Sequence, residues 1–265
     1  MPDMDMKQKP DMIHFEKKDH TAIINIPGFD TTRIETDIFA YDFAELCATI
    51  EADDDVRVVI ITDSESQSPS KNKRAEKFTS SDQSGTESPL LPSTSASIAN
   101  IDRPTLAVIN GNAAGEGLEL ALACDIRIAS ESSFFGLPHI REGHIPHNGG
   151  TQRMPRLIGK GRALEMILTG ASIDAREALR IGLVNMVQPS GEAMKKALQL
   201  ALDMATKAPI SLRFTREAIY KGMDMTLDQG LTMEGDLYLL LYGTEDRVEG
   251  IESFTKKKEP SFKGK

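Results

Sequence analysis

Apolar positions along the chain alternate between two periods. Met12–Phe15 and Thr21–Ile26 read as the two strands of a hairpin, with His20 near the turn and Pro27-Gly28 ending it. From Ile38 to Ile50 the apolar residues Ile38, Phe39, Phe43, Leu46, Cys47 and Ile50 fall at helical spacing. Glu51–Asp55 is an acidic turn. Val56–Thr62 (VRVVIIT) is a β-branched run of the kind buried on both faces of a largely parallel sheet. Strand, helix and buried strand make a βαβ pattern. Pro104–Ile109 predicts the next strand, Gly115–Cys124 a helix and Asp125–Ala129 another strand. After a polar loop, Arg162–Leu168 is helical and Thr169-Gly170 closes it. Asp174–Ile181 predicts a short helix and Val184–Val187 a strand. Gly191–Lys207 is amphipathic, with Met194, Ala197, Leu198, Ala201, Leu202 and Ala205 along one face before Pro209. Helices follow over Ile210–Tyr220, Leu227–Tyr242 and Asp246–Lys257. The pattern predicts an α/β core over residues 12–190 and a helical region over 191–265, with no internal repeat.

One segment breaks the rhythm. Asp63–Asn100 holds eleven serines, three prolines and a basic cluster of Lys71, Lys73, Arg74 and Lys77. It reads as a structureless insertion: either a mobile surface loop or a lid whose basic residues meet phosphates. Residues 1–11 read as a disordered tail.

Composition narrows the function classes. The chain has 265 residues, enough for a large core. Its net charge of −9 argues against nucleic acid or an anionic membrane as a general partner. No apolar run approaches the ~20 residues of a membrane span. The first residues lack the apolar stretch of a secretory signal, and FKGK is no recognisable targeting tripeptide, so the expected location is cytoplasmic. Cys47 and Cys124 both sit in apolar helical patterns and are expected to be buried free thiols.

The chemistry concentrates in Arg103–Arg153. Strand, glycine turn, helix with an isolated acid, strand and polar loop can together build a site for anionic chemistry. There is no G-x-S-x-G, no phosphate-loop motif, and Gly111, Gly115 and Gly117 do not form the dinucleotide fingerprint. His139, His144 and His147 match no zinc spacing, so no metal is expected and the histidines read as hydrogen-bonded loop residues. Glu119 lies among Leu118, Leu120, Ala121 and Leu122. Desolvation there would raise its pKa into an acid/base range, or the side chain could satisfy first-turn helix N–H groups. Glu142 reads as a spare acid or a solvated loop charge.

The order of these motifs resembles the enoyl-CoA hydratase/isomerase (crotonase) superfamily. The carriers are Arg103-Pro104, Val108–Gly111, Ala114–Leu120, Cys124–Ala129, Phe135–Pro138, Gly149–Arg153, Leu168–Gly170, Gly182–Val184 and Asp246–Lys257. The resemblance implies a spiral of ββα units with a helical C-terminal trimerisation region, a homotrimer or homohexamer, and an acyl-CoA thioester substrate. No separate cofactor is implied. It implies catalysis through an enolate held by two backbone N–H groups, those of Glu116 and, in the segment Phe78–Asp82, Ser81. Glu119 coincides with the first of the family's two glutamates. His139 stands where the second is usual. Glu116 stands where a small residue is usual, so its carboxylate should point away from the enolate; it either serves the helix dipole, the favoured reading, or takes a direct catalytic role. Phe254 and Lys257 resemble residues that reach the nucleotide end of CoA from a neighbouring subunit. The implied reaction is hydration or dehydration of a 2-enoyl-CoA. The His139 exchange keeps double-bond isomerisation, C–C hydrolysis, decarboxylation and a non-catalytic acyl-CoA-binding role open.

Overall fold

The structure, a computed structural model, describes residues 13–30, 37–63 and 92–265. The expected tail, Ser81 and the Lys71–Lys77 cluster lie outside these residues. β1 (His14–Lys18) and β2 (Thr21–Ile26) form the expected antiparallel hairpin. Its turn places Asp19 and His20 at φ 48° and 61°, the double positive φ that matches the twist of tightly joined strands. Helix α1 (Asp37–Ala52) then leads to β3 (Val58–Asp63), where every residue is buried.

The segment expected to be structureless to Asn100 instead ends in a helix, α2 (Thr94–Asn100). Ser93 caps it by accepting from the Ala96 N–H, and Ile98 is fully buried. A two-turn helix offers too few apolar positions for periodicity to reveal it.

β4 (Thr105–Ile109), β5 (Ala113–Ala114), α3 (Glu116–Ala123), β6 (Ile126–Ser130) and β7 (Phe134–Gly136) come next. A 3-10 turn spans Pro138–Glu142. Beyond it, α4 (Gly150–Ile158) is a helix where the polar loop was expected to continue. Pro155 inside this helix disguises it, because proline removes one backbone donor and normally breaks the pattern. α5 (Lys160–Thr169), β8 (Ser172–Asp174), α6 (Ala175–Ile181), β9 (Met186–Gln188) and α7 (Ala193–Ala205) complete the core. α8 (Pro209–Gly222), α9 (Leu227–Leu241) and α10 (Glu245–Lys256) follow.

Two sheets result. The larger has the order β1-β2-β3-β4-β6-β9, parallel except at β1. Alternation along β3 and β4 divides its faces. Val59, Ile61, Ala107 and Ile109 point into a cluster with α1 and α3, while Val58, Ile60, Leu106 and Val108 meet α7. The buried stripe of α7 is Ala193, Ala197, Ala201 and Ala205, one small residue per turn, which lets the helix lie close to the strands. The larger residues of that helix, Met194, Leu198 and Leu202, line a cavity of about 670 Å³ with Ile23 and Asn25. None of the groups of the site described below lines this cavity. Both cysteines are buried free thiols, and burial pushes each up to about 12. No helix among the described residues is long and apolar enough to cross a membrane.

The smaller sheet, β5-β7-β8, was not visible in the pattern because its strands are two or three residues long. It matters most for function. β5 pairs in parallel with β7, so the elements that follow them, α3 and the 3-10 turn, start side by side. The position of α3 is fixed from the other side by Phe29. Its carbonyl accepts the Ala114 N–H at 2.9 Å, and a methyl group on Gly117 would sit 1.9 Å from the same oxygen. Gly117→Ala should therefore lower stability in urea unfolding by about 1–3 kcal/mol. Gly161→Ala, where nothing lies within 4 Å, should stay within about 1 kcal/mol of the parent.

Candidate active site

Glu119 lies in the first turns of α3 and is fully buried. Its Oε1 accepts two backbone N–H groups, from Asn148 at 2.9 Å and Gly150 at 2.6 Å. Gly150 is the first residue of α4, where helical N–H groups have no partners inside the helix and the dipole favours negative charge, and Asn148 lies in the loop just before it. Gly149 permits the approach with φ 104°, a left-handed conformation that suits glycine. Gly150 permits it by having no side chain, since a methyl there would lie 2.9 Å from Oε1. The other oxygen, Oε2, makes no hydrogen bond among the described residues and stands 3.6 Å from His139 Nε2. His139 is 10% exposed, and neither ring nitrogen has a hydrogen-bond partner among the described residues. One carboxylate oxygen is thus fixed and the other is left facing an imidazole.

Burial sets the electrostatics of this pair. It pushes the Glu119 carboxyl above the ordinary carboxylate range, with the Gly150 and Asn148 N–H groups pulling the other way. It holds the His139 imidazole below its usual value, helped by the nearby His147. Both groups are driven toward their neutral forms.

Helix α3 also presents its first N–H, that of Glu116, at the mouth of the site. Gly115 precedes it at φ 55° and donates its own N–H to the Gly136 carbonyl at 3.1 Å. The Glu116 carboxylate does not serve the helix dipole alone, as the sequence had suggested. It pairs with His147, Oε1 to Nε2 at 2.9 Å, with the two side chains 13% and 43% exposed. The His147 ring stands edge-on to His139, with centroids 6.4 Å apart. Glu119, His139 and His147 each offer a ligand atom within 4.8 Å of the others. Ser93 at the start of α2 ties down this loop by donating to Asn148 Oδ1 at 2.7 Å.

A carboxyl and an imidazole that can pass a proton, beside a helix N-terminus that can hold an oxyanion, match the order of motifs in the sequence. The sequence model of the family described as Enoyl-CoA hydratase/isomerase matches residues 36–265. The chain belongs to the enoyl-CoA hydratase/isomerase family. It is 42% identical over 194 residues to 2,3-dehydroadipyl-CoA hydratase of Escherichia coli (strain K12), covering 73% of this chain and 74% of that one. It is 43% identical over 171 residues to the mitochondrial methylglutaconyl-CoA hydratase of Mus musculus, covering 63% of this chain and 54% of that one. A crystal structure of enoyl-CoA hydratase from Bacillus anthracis superposes with a TM-score of 0.83 at 33% identity, covering 96% of this chain and all (100%) of that one. The α/β crotonase fold expected from the sequence is therefore the fold of this chain.

Within this family member, the expected residues divide into four groups. Glu116, Glu119 and His139 come together as described. Phe254 and Lys257 lie on and just after α10; Phe254 is 88% exposed, and Lys257 ends the helix at φ 52°. Ser81 falls outside the described residues. Glu142 sits exposed at the end of the 3-10 turn. Sequence reasoning missed His147 as the partner of Glu116 and the two N–H donors to Glu119. The Gly149-Gly150 pair was the available signal for those donors, since adjacent glycines often mark a close backbone approach.

The electrostatics yield a stability test. Folding raises the Glu119 pKa, so the folded state retains a proton that the unfolded chain loses at lower pH. Stability from this group is full below the ordinary carboxylate pKa and falls as pH climbs through the raised value. Glu119→Gln keeps an acceptor for the two N–H groups and removes this ionisation. Relative to the parent it should gain on the order of 1 kcal/mol at about pH 8, with the gain vanishing near pH 4. Paired urea titrations of variant and parent at the two pH values check this; a variant that loses ground to the parent as pH rises would mean that the Asn148 and Gly150 donors outweigh burial.

Proposed function

We propose that this protein hydrates a 2-enoyl-CoA thioester, and dehydrates the 3-hydroxy product in reverse, through an enolate. The observation that carries the reading is the Glu119–His139 pair at 3.6 Å, with one carboxylate oxygen pinned and the other open. Hydration splits water: hydroxide joins Cβ, and a proton joins Cα. The pair must therefore accept one proton and give one. A water within about 2.8 Å of both Glu119 Oε2 and His139 Nε2 caps the gap between them. The directions in which burial moves the two groups support one division of the roles. His139, held toward neutral imidazole, accepts the proton of water. Glu119, held toward its carboxyl form, supplies the proton to Cα. The pair carries one proton in its working state, so its titration belongs to both residues together.

The enolate oxygen formed between these steps takes the Glu116 N–H at the positive end of α3. Such donors, fixed before the charge develops, contribute a few kcal/mol to the barrier. The Glu116 carboxylate would repel the enolate; a protonated His147, 2.9 Å from its Oε1, would offset that charge. The names of the relatives support an enoyl-CoA thioester as the substrate class.

The working unit we propose is a trimer or a pair of trimers. The support is the apolar surface of the C-terminal helices, where Met223, Leu227, Leu239 and Leu240 are each more than 60% exposed in the single chain. Patches of this kind mark places where subunits meet. Phe254 and Lys257 would then reach the nucleotide end of CoA in the adjoining subunit. Sedimentation of the purified protein should give three or six chains per particle, and Leu239→Lys with Leu240→Lys should reduce it to smaller species.

The reaction is tested by following the conjugated-thioester absorbance of crotonyl-CoA, with mass analysis of the product for added water. His139→Ala and Glu119→Gln should each lower kcat by about 10²–10⁴-fold, and His139→Glu should recover part of the loss. The parent profile of kcat/KM should be bell-shaped, falling in acid as the pair gains a second proton and in base as it loses its last. Turnover unchanged in Glu119→Gln would overturn the assignment.

A further inference from the structure

Two departures from the family pattern, Glu116 and His139, come together in space, and His147 joins them. Glu119 and His139 each leave a lone-pair-bearing atom without a hydrogen bond among the described residues: Oε2 on a fully buried side chain and Nε2 on one that is 10% exposed, 3.6 Å apart. With His147 they form a set of one carboxylate and two imidazoles whose ligand atoms lie within 4.8 Å of one another. Zn²⁺ binds such atoms at about 2.0–2.2 Å in a tetrahedron, which puts neighbouring ligand atoms roughly 3.3 Å apart. The Glu119–His139 separation is already close to that edge. His147, with its ring edge-on to His139 and partly open to solvent, offers the third ligand atom within 4.8 Å of the other two. Glu116 Oε1, 2.9 Å from His147 Nε2, places a second negative charge beside the same space.

The chain arrangement explains why histidine spacing gave no sign of this. The carboxylate comes from α3, one histidine from the 3-10 turn after β7, and the other from the loop before α4. The β5–β7 pairing and the Glu119 hydrogen bonds to Asn148 and Gly150 bring all three together. Soft-to-borderline divalent cations suit two imidazoles with one carboxylate; Mg²⁺ and Ca²⁺, which favour oxygen, do not.

We propose that Glu119, His139 and His147 form a binding site for Zn²⁺ or a similar transition-metal dication, and that binding there is inhibitory. The ion takes the Oε2 and Nε2 lone pairs that the water and its proton require, so metal and catalysis exclude each other. The inhibitory half rests on the hydratase reading; the binding half does not.

The test uses tag-free protein stripped with a chelator and titrated with ZnCl₂ against a chromogenic zinc indicator. One Zn²⁺ should bind per chain. His147→Ala should weaken binding by about tenfold or more, and His144→Ala, which alters an exposed histidine outside the set, should leave it unchanged. His147 is 43% exposed, so its loss should not disturb folding, and Glu116→Gln provides a second variant expected to weaken binding. Crotonyl-CoA hydration should fall as Zn²⁺ is added and return with chelator. Equal Zn²⁺ affinity in the parent and His147→Ala, or no stoichiometric binding in the parent, overturns the site. Binding that responds to His147→Ala without any enoyl-CoA turnover to inhibit supports the site and overturns the hydratase reading instead. Binding without inhibition of measurable turnover overturns the inhibitory half.

Discussion

The two backbone N–H groups on Glu119 Oε1 are the constraint on which the site depends. They join α3, the loop through Asn148 and the first residue of α4 at one buried atom. A carboxylate removed from water is costly unless its lone pairs are met by donors. Here the helix terminus meets one oxygen only. The strands beneath make that meeting possible: β5 leads into α3 and β7 into the His139 turn, and their pairing fixes the separation. Gly117 then packs against the Phe29 backbone too closely for any side chain, and Gly150 leaves room for the Glu119 carboxylate oxygen. Packing that would be unremarkable elsewhere becomes the means of aiming one oxygen.

The second oxygen is left without a partner, and so are both nitrogens of His139. Of seven buried side-chain atoms without hydrogen bonds among the described residues, these three sit together. A fold gains nothing in stability from that grouping, since an unmet buried acceptor costs free energy. Unmet groups that converge are better understood as a site whose missing partners are supplied by substrate and water. The direction of each pKa displacement fits the same account, because burial without full compensation pushes both groups toward neutrality.

Much of this was legible in the sequence, for reasons that differ between fold and site. β3 and β4 carry long β-branched runs, and α1 and α9 carry enough turns for a helical period to emerge. α2, α4 and the three strands of the small sheet do not, being too short or, in α4, interrupted by Pro155. Their existence is decided by tertiary contacts: Ile98 in the core, and Ala113–Ala114 against Phe135–Gly136. Within the site, Glu119 and His139 could be found because each stands in a recognisable local motif. The Glu116–His147 pair could not, since it joins residues on separate elements and no local pattern requires them to meet. The pattern also gives α7 too broad a buried face, because its larger apolar residues dominate the period while its alanines make the closest approach to the sheet.

The same physics explains how histidine can stand where a second glutamate is usual. Two carboxylates at this distance repel when both are charged, so one must be held protonated by the other's field. A carboxyl and an imidazole have no such conflict. With one proton between them they are either both neutral or oppositely charged, and neither state places like charges together. Burial favours the neutral pair, and the pinned Oε1 keeps the charged alternative within reach by stabilising the carboxylate on one side. The exchange therefore preserves the single transferable proton while changing which residue holds it. In the proposed reaction, a protein with Glu119 but an aliphatic residue at 139 would keep the fold and the oxyanion donor yet lose the proton acceptor, so the proposal rests on the pair rather than on either residue alone.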